Sequence, residues 1–186
     1  MENIRLAELS DLTALKKLTD ENIGVDYYTE EDLRQILTDP DKKFFVCTDE
    51  NDVPIAYSLI IITTYAKARK MMKITEPVPG LEALEPDAAI SIYKTTCTDK
   101  AYRRLGFLGQ LVRAAQAYLT EHHIRYILAD AMKHPSGYIP VAKTAESNGY
   151  HAVMEIPHPW SDIDSYCPYC QSRFCKCNAI IYIKEL

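Results

Sequence analysis

At 186 residues, 47% hydrophobic and 25% charged, the chain is a little over one average domain length and apolar enough to bury a core. That excludes a large multidomain machine and an extended disordered chain. Lys and Arg number 21 against 26 Asp and Glu, and the resulting net charge of −5 disfavours a general nucleic-acid footprint while leaving room for a local basic pocket. No apolar run approaches the roughly 20 residues that a membrane-spanning helix requires. The N-terminal Met-Glu-Asn-Ile-Arg-Leu has no basic region leading into an apolar one, so neither a secretory signal nor a membrane partner is expected.

Residues 3–7 predict a short strand, and Ser10 is placed to cap a helix carrying Leu12, Leu15 and Leu18 on one face. Thr29 and Asp32 have the spacing of a capping box, with aspartate for the usual glutamate, ahead of Leu33, Ile36 and Leu37 and a stop at Pro40. Two β-rich runs, 43–48 and 53–64, flank Asp49-Glu50-Asn51-Asp52, a turn composition that makes them a hairpin. Residues 65–87 break the pattern: they are basic and then acidic, with three prolines, and predict a long irregular insertion. A strand follows over 88–98. Leu105, Leu108, Val112, Ala115 and Leu119 then recur at helical spacing, predicting a helix over 107–121 with that face buried. A strand at 125–131, a helix at 139–147 ended by Asn148-Gly149, and strands at 150–156 and 179–184 complete the chain. With no repeat and no linker, this reads as one α/β domain over residues 1–186, with about seven strands and about four helices.

Two segments carry chemistry. The first is Tyr102-Arg103-Arg104-Leu105-Gly106-Phe107-Leu108-Gly109, between a strand and an amphipathic helix. A helix N-terminus offers unpaired N–H groups and partial positive charge, and a glycine there lets the backbone approach a phosphate. Two arginines add charge, which suits a pyrophosphate. A Walker A sequence is absent, and a dinucleotide-binding fingerprint would lie in the first strand-helix unit. The second segment holds four of the six cysteines, Cys167, Cys170, Cys175 and Cys177, within the loop over 157–178. A C-x-x-C turn followed by C-x-C lets four thiolates converge on one tetrahedral ion, zinc first, although the span is tighter than that of common zinc ribbons. A redox or disulfide pair and free structural thiols stay open as readings; the usual iron–sulfur spacings are not matched. Cys47 and Cys97 fall in strand runs and read as buried residues. A chain of this size does not need disulfide staples, so a reducing, cytoplasmic setting is expected.

The order of elements together with Arg103-x-x-Gly106 resembles the GCN5-related N-acetyltransferase (GNAT) family, whose acyl-CoA loop reads Gln/Arg-x-x-Gly-x-Gly/Ala. Leu108 stands where that pattern has glycine or alanine, with Gly109 next. The resemblance implies a central mixed sheet. It also implies acetyl-CoA as cosubstrate, held by Arg103, Arg104, Leu105, Gly106, Phe107, Leu108 and Gly109, with the pantetheine arm along Thr95, Thr96 and Cys97. A primary amine of a small molecule or peptide would then attack the thioester directly; a homodimer is compatible with the pattern. Ala145-Glu146-Ser147-Asn148-Gly149-Tyr150 matches the family segment ending in Gly-Phe, but Ala145 stands where many members have a tyrosine acid. Tyr138 and Tyr93 are the candidate substitutes, and Asp130, read at the end of its strand, is a candidate to orient or deprotonate the amine. His134, beside Pro135-Ser136-Gly137, reads as a surface residue, with a base as the lesser alternative. The acidic half of the insertion with Tyr27 and Tyr28 is a candidate acceptor wall. The alternative is a non-catalytic module that senses acyl-CoA or presents the cysteine loop to a protein.

Overall fold

A computed structural model describes residues 3–163, 167 and 169–186. Seven strands form one sheet in the order β1-β2-β3-β4-β5-β7-β6. In chain order they are β1 (Asn3–Leu6), β2 (Lys42–Thr48), β3 (Pro54–Thr64), β4 (Ala89–Thr98), β5 (Tyr126–Lys133), β6 (His151–Ile156) and β7 (Asn178–Glu185). Five α-helices accompany them: α1 (Leu12–Asn22), α2 (Glu30–Thr38), α3 (Tyr65–Met71), α4 (Phe107–Glu121) and α5 (Ala142–Ser147). Among the described residues no helix is long and apolar enough to cross a membrane. By contacts the chain divides into two compact units, Met1–Ile62 with Tyr93–His123, and Thr63–Ile92 with Ile124–Leu186.

In the first unit, β1 and β3 each pair antiparallel with β2, in registers that set Ile4 opposite Cys47 and Phe45 opposite Ser58. The β2–β3 turn is closed by Asp49, whose carboxylate accepts the N–H groups of Asn51 and Val53 at 2.9 Å each. This is the turn chemistry that favours Asp there. The capping box at α2 forms as the spacing predicts: the Thr29 hydroxyl accepts from the Asp32 N–H at 3.1 Å and the Asp32 carboxylate accepts from the Thr29 N–H at 2.9 Å.

The start of the first helix differs from expectation. A 3-10 turn, Leu9–Asp11, precedes α1, and the organising residue is Asp11 rather than Ser10. Its buried carboxylate takes a forked pair of bonds from Arg5 at 2.7 and 3.0 Å and the Glu8 N–H at 2.8 Å. Burial pushes the Asp11 carboxyl up, but the Arg5 guanidinium and the Glu8 N–H outweigh it and hold the group below its ordinary value.

Helix α4 buries Phe107, Leu111, Val112, Ala115 and Leu119. Leu105 and Leu108 are not on that stripe: Leu105 is 60% exposed and Leu108 half-buried. The reason is local. Gly106, at φ 87°, is the N-cap, so Leu105 lies outside the helix and its phase.

In the second unit, β5 and β6 both pair antiparallel with β7, with Lys133 opposite Asn178 and Glu155 opposite Ile180. The insertion is not wholly irregular. Thr64 caps α3, and residues beyond it bury Met72, Ile74, Val78 and Leu81. Apolar residues spaced among the prolines and charges anchor a segment whose average composition looked solvated. Helix α5 starts three residues later than the 139–147 expectation, because Gly137 at φ 87° and Pro140 hold the preceding backbone in turns. It ends as predicted: Tyr150 N–H donates to the Ala145 carbonyl at 3.1 Å and Gly149 N–H to that of Glu146 at 3.0 Å, with Gly149 at φ 81°. This is a Schellman closure, which requires the left-handed residue that glycine supplies.

Candidate active site

The first unit holds the segment 93–109. At the end of β4, Asp99 caps a 3-10 turn (Lys100–Tyr102) by accepting the Ala101 N–H at 2.8 Å. The chain then takes two left-handed residues within three, Arg104 at φ 68° and Gly106 at φ 87°, before entering α4. No side chain caps that end of α4, so the N–H groups of its first turn, from Phe107 to Gly109, are left for another acceptor. A Cβ added to Gly106 would meet nothing within 4 Å. The backbone angle therefore requires the glycine, and open space lies where an anion would approach. Arg104 is exposed and, as a non-glycine residue at positive φ, carries a modest strain of the kind that gathers at binding loops.

Arg103 is occupied differently. Its guanidinium donates to the Thr98 carbonyl and to Asn22 Oδ1, each at 3.1 Å, tying the loop to β4 and to the end of α1. The side chains of β4 are also engaged. Tyr28, from the α1–α2 loop, shares a 2.7 Å hydrogen bond with Thr95; the Thr96 hydroxyl donates to the Tyr57 carbonyl at 3.1 Å; Tyr93 donates to Ser58. Tyr27 stacks edge-on against Tyr28 with centroids 4.8 Å apart. Of the expected acceptor wall, this tyrosine pair is thus brought to β4. Cys97 is buried, and burial pushes its thiol up to about 12, with Arg103 opposing. It stays a neutral thiol at physiological pH and is no thiolate nucleophile.

The second unit holds the other sequence candidates. Asp130 is half-buried and lies inside β5, because the strand runs on to Lys133 rather than ending at 131. Tyr138 is 61% exposed and sits in the turn before α5, its carbonyl accepting the His134 N–H at 2.9 Å. His134 reads from the sequence as a surface residue ahead of a base, and it is half-buried. Its ring stacks on Tyr169 at 3.8 Å and meets the Tyr138 ring edge-on at 5.4 Å. Its Nε2 is buried with no hydrogen-bond partner, and burial pushes its pKa down. A neutral imidazole with an unused nitrogen is what a general base needs. The only sequence signal for it was its position between a strand and a Pro-Ser-Gly break. The Sγ atoms of Cys167, Cys170, Cys175 and Cys177 lie within 4.8 Å of one another, as the spacing predicts for a shared ion.

No protein-family model matches the sequence, and no curated protein does. Solved structures do. NAA60 of Arabidopsis thaliana, in complex with acetyl-CoA, superposes with a TM-score of 0.73 at 12% identity, over 100% of this chain and 99% of that one. This chain has the GNAT fold. Within that fold, Naa20 of Chaetomium thermophilum, bound to a bisubstrate analogue, matches at TM-score 0.70 and 13% identity over 99% of this chain and 86% of its own. The ribosomal-protein-S18-alanine N-acetyltransferase of Escherichia coli matches at 0.68 and 12% over 100% and 94%. At these identities what is shared is the path of the backbone, and in the GNAT fold of this chain the loop before α4 is the feature whose geometry least depends on side chains.

Proposed function

We propose that the protein is an acetyl-CoA-dependent N-acetyltransferase acting on a primary amine of a small molecule or peptide. The observation that carries this is the uncapped N-terminus of α4 behind the left-handed Arg104 and Gly106, in a chain that shares its fold along its whole length with a protein solved in complex with acetyl-CoA. In this reading the N–H groups from Gly106 to Gly109 receive the pyrophosphate, Arg104 adds charge, Arg103 and Leu105 shape the loop, and the pantetheine arm lies along Thr95, Thr96 and Cys97. The Tyr27–Tyr28 pair lines the acceptor side.

The amine nitrogen attacks the thioester carbonyl carbon, the C–S bond breaks, the ammonium proton passes to a base, and the thiolate of CoA takes a proton. Asp130 is the candidate to orient or deprotonate the amine, with His134 as the alternative base. With alanine at position 145, Tyr138 and Tyr93 are the candidates to protonate the thiolate or polarise the carbonyl. A covalent acyl-Cys97 route is excluded if Cys97→Ala keeps its turnover. A reducing, cytoplasmic setting goes with this reading, and an ion held by the cysteine loop would be structural zinc without a chemical step.

Isothermal titration with acetyl-CoA, followed by thiol-release assays over a panel of amines and N-terminal peptides, tests the reading. Binding with turnover supports it. Binding without release of CoA for any amine would replace the enzyme by the acyl-CoA sensor, and no binding at all would overturn both.

A further inference from the structure

The cysteine loop is built inside out for an ordinary core. Cys167, Cys175 and Cys177 are buried and Cys170 half-buried, while the large apolar side chains of the same region face solvent: Tyr169 is 53% exposed and Phe174 72%. Among the described residues, Met132 and Trp160 are the apolar side chains from outside the quartet that pack partly against this cluster. Apolar burial of that extent does not offset the cost of ordering about ten residues, so another source of free energy must hold the loop closed.

The sulfurs point to that source. No two of them are bonded, yet all four lie within 4.8 Å of one another. In a tetrahedral zinc tetrathiolate, Zn–S bonds of about 2.3 Å separate the sulfurs by about 3.8 Å. Cys170 and Cys177 stand at 3.5 Å, and the set closes onto a coordination tetrahedron with shifts of about 1 Å. The backbone prepares the charge as well: the Lys176 N–H donates to Cys170 Sγ at 3.1 Å, toward a centre that would carry two net negative charges. The turn is braced by the Cys167 N–H donating to the Ser172 carbonyl at 2.9 Å. Four protein thiolates leave no open coordination position, which is the donor set of a structural zinc site.

We infer that Cys167, Cys170, Cys175 and Cys177 hold one zinc ion, and that this ion sets one wall of the adjacent cleft. The second half follows from what the loop touches. Between its first two cysteines it presents Tyr169 to the His134 ring at 3.8 Å, and between its last two it presents Lys176 to a cleft of about 410 Å³ also lined by Lys133, His134, Glu155, His158 and Asn178. Across that cleft Glu155 accepts from Lys133 at 2.7 Å and from Asn178 at 2.5 Å. Loss of the ion frees the loop carrying Tyr169 and Lys176, and the His134 ring loses its cover.

Trp160, the chain's single tryptophan, packs against the cysteine cluster, so its emission is a probe of that region. Protein purified without added metal is expected to contain about one zinc per chain by elemental analysis. Its cobalt-substituted form is expected to show the thiolate charge-transfer and tetrahedral ligand-field bands of a four-sulfur site. Removing zinc with a chelator should shift Trp160 emission and the NMR signals of the His134 ring, and restoring zinc should reverse both. Cys170→Ser, at the least buried ligand, should bring metal content near zero, while Cys47→Ser leaves it unchanged. Absence of near-stoichiometric metal, iron in place of zinc, or disulfides among the four cysteines by mass spectrometry would overturn the site. Zinc that comes and goes without moving the His134 signals would leave the site standing and overturn its role in the cleft wall.

Discussion

On the readings proposed above, residues 103–109 and 167–177 are both short loops that would serve opposite charges with opposite parts of the polypeptide. The first prepares for an anion with its main chain: two left-handed residues and an uncapped helix end, with the Arg103 side chain spent on holding the loop in place. The second prepares for a cation with side chains, four sulfurs gathered within 4.8 Å while most other side chains of the loop face water. A main-chain site depends on a conformation, which many sequences can adopt. A side-chain site depends on particular atoms. On the proposed readings the first loop would accept Leu108 where the family pattern has glycine or alanine, whereas a zinc site would need every cysteine of the quartet.

The contrast is sharpest at Cys177, which is fully buried. Cys177→Ser is expected to abolish metal binding and to cost about 3 kcal/mol or more, lowering the thermal midpoint by near 10 °C in differential scanning fluorimetry. A variant that keeps its metal, or its midpoint, breaks the side-chain half of the comparison.

Next in size is the Arg5–Asp11 pair, which supports the unit that carries the main-chain site. Arg5→Ala leaves a buried carboxylate without its forked partner and should cost about 2–3 kcal/mol in urea denaturation at pH 7. The pH dependence has a definite sign. The Asp11 carboxyl sits below its ordinary value of 3.8, so its contribution is fully present above that value and is lost as pH falls through the depressed one. Arg5→Ala should therefore lose less stability than the wild type between pH 5 and pH 2. Equal slopes would remove Asp11 as a source of acid sensitivity.

At the anion loop, Gly106→Val forces a β-branched residue to φ 87°. Acetyl-CoA affinity by calorimetry should fall at least about tenfold, with the thermal midpoint lowered by only a few degrees. The smallest effect is expected at Arg104, whose exposed guanidinium acts as one screened charge: Arg104→Gln should weaken binding about threefold and flatten its salt dependence. If Arg104→Gln exceeds Gly106→Val in effect, the loop reads its ligand with side chains after all, and the contrast between the two loops collapses.

Much of the architecture was legible because it rests on local rules. Thr29 and Asp32 announce a capping box that three backbone and side-chain bonds then realise, Asn148-Gly149 announces a Schellman end, and the apolar period places α4 at 107–121. The quartet of cysteines was legible for the same reason, since eleven residues of chain can bring four thiols together without help from elsewhere. The insertion was misread in part, because charges and prolines hid the spaced anchors Met72, Ile74, Val78 and Leu81. His134 reads first as surface, because what buries it is Tyr169, thirty-five positions on. Asp130 was set at a strand end that the ladder to β7 in fact carries to Lys133.

The sequence by itself determined the order of most strands and helices, the cap of α2, the glycine end of α5, and which atoms could meet an anion or a metal, because those follow from backbone geometry and short-range hydrogen bonds. Only the tertiary structure decided which polar groups are spent and which are left over. Arg103 was taken up by Thr98 and Asn22, Tyr93 by Ser58, and Thr95 by Tyr28, while His134 kept an unpaired nitrogen. Burial and partnership depend on residues distant in the chain, and so the balance between a side chain that holds the fold and one that is free for chemistry is set only when the chain has closed on itself.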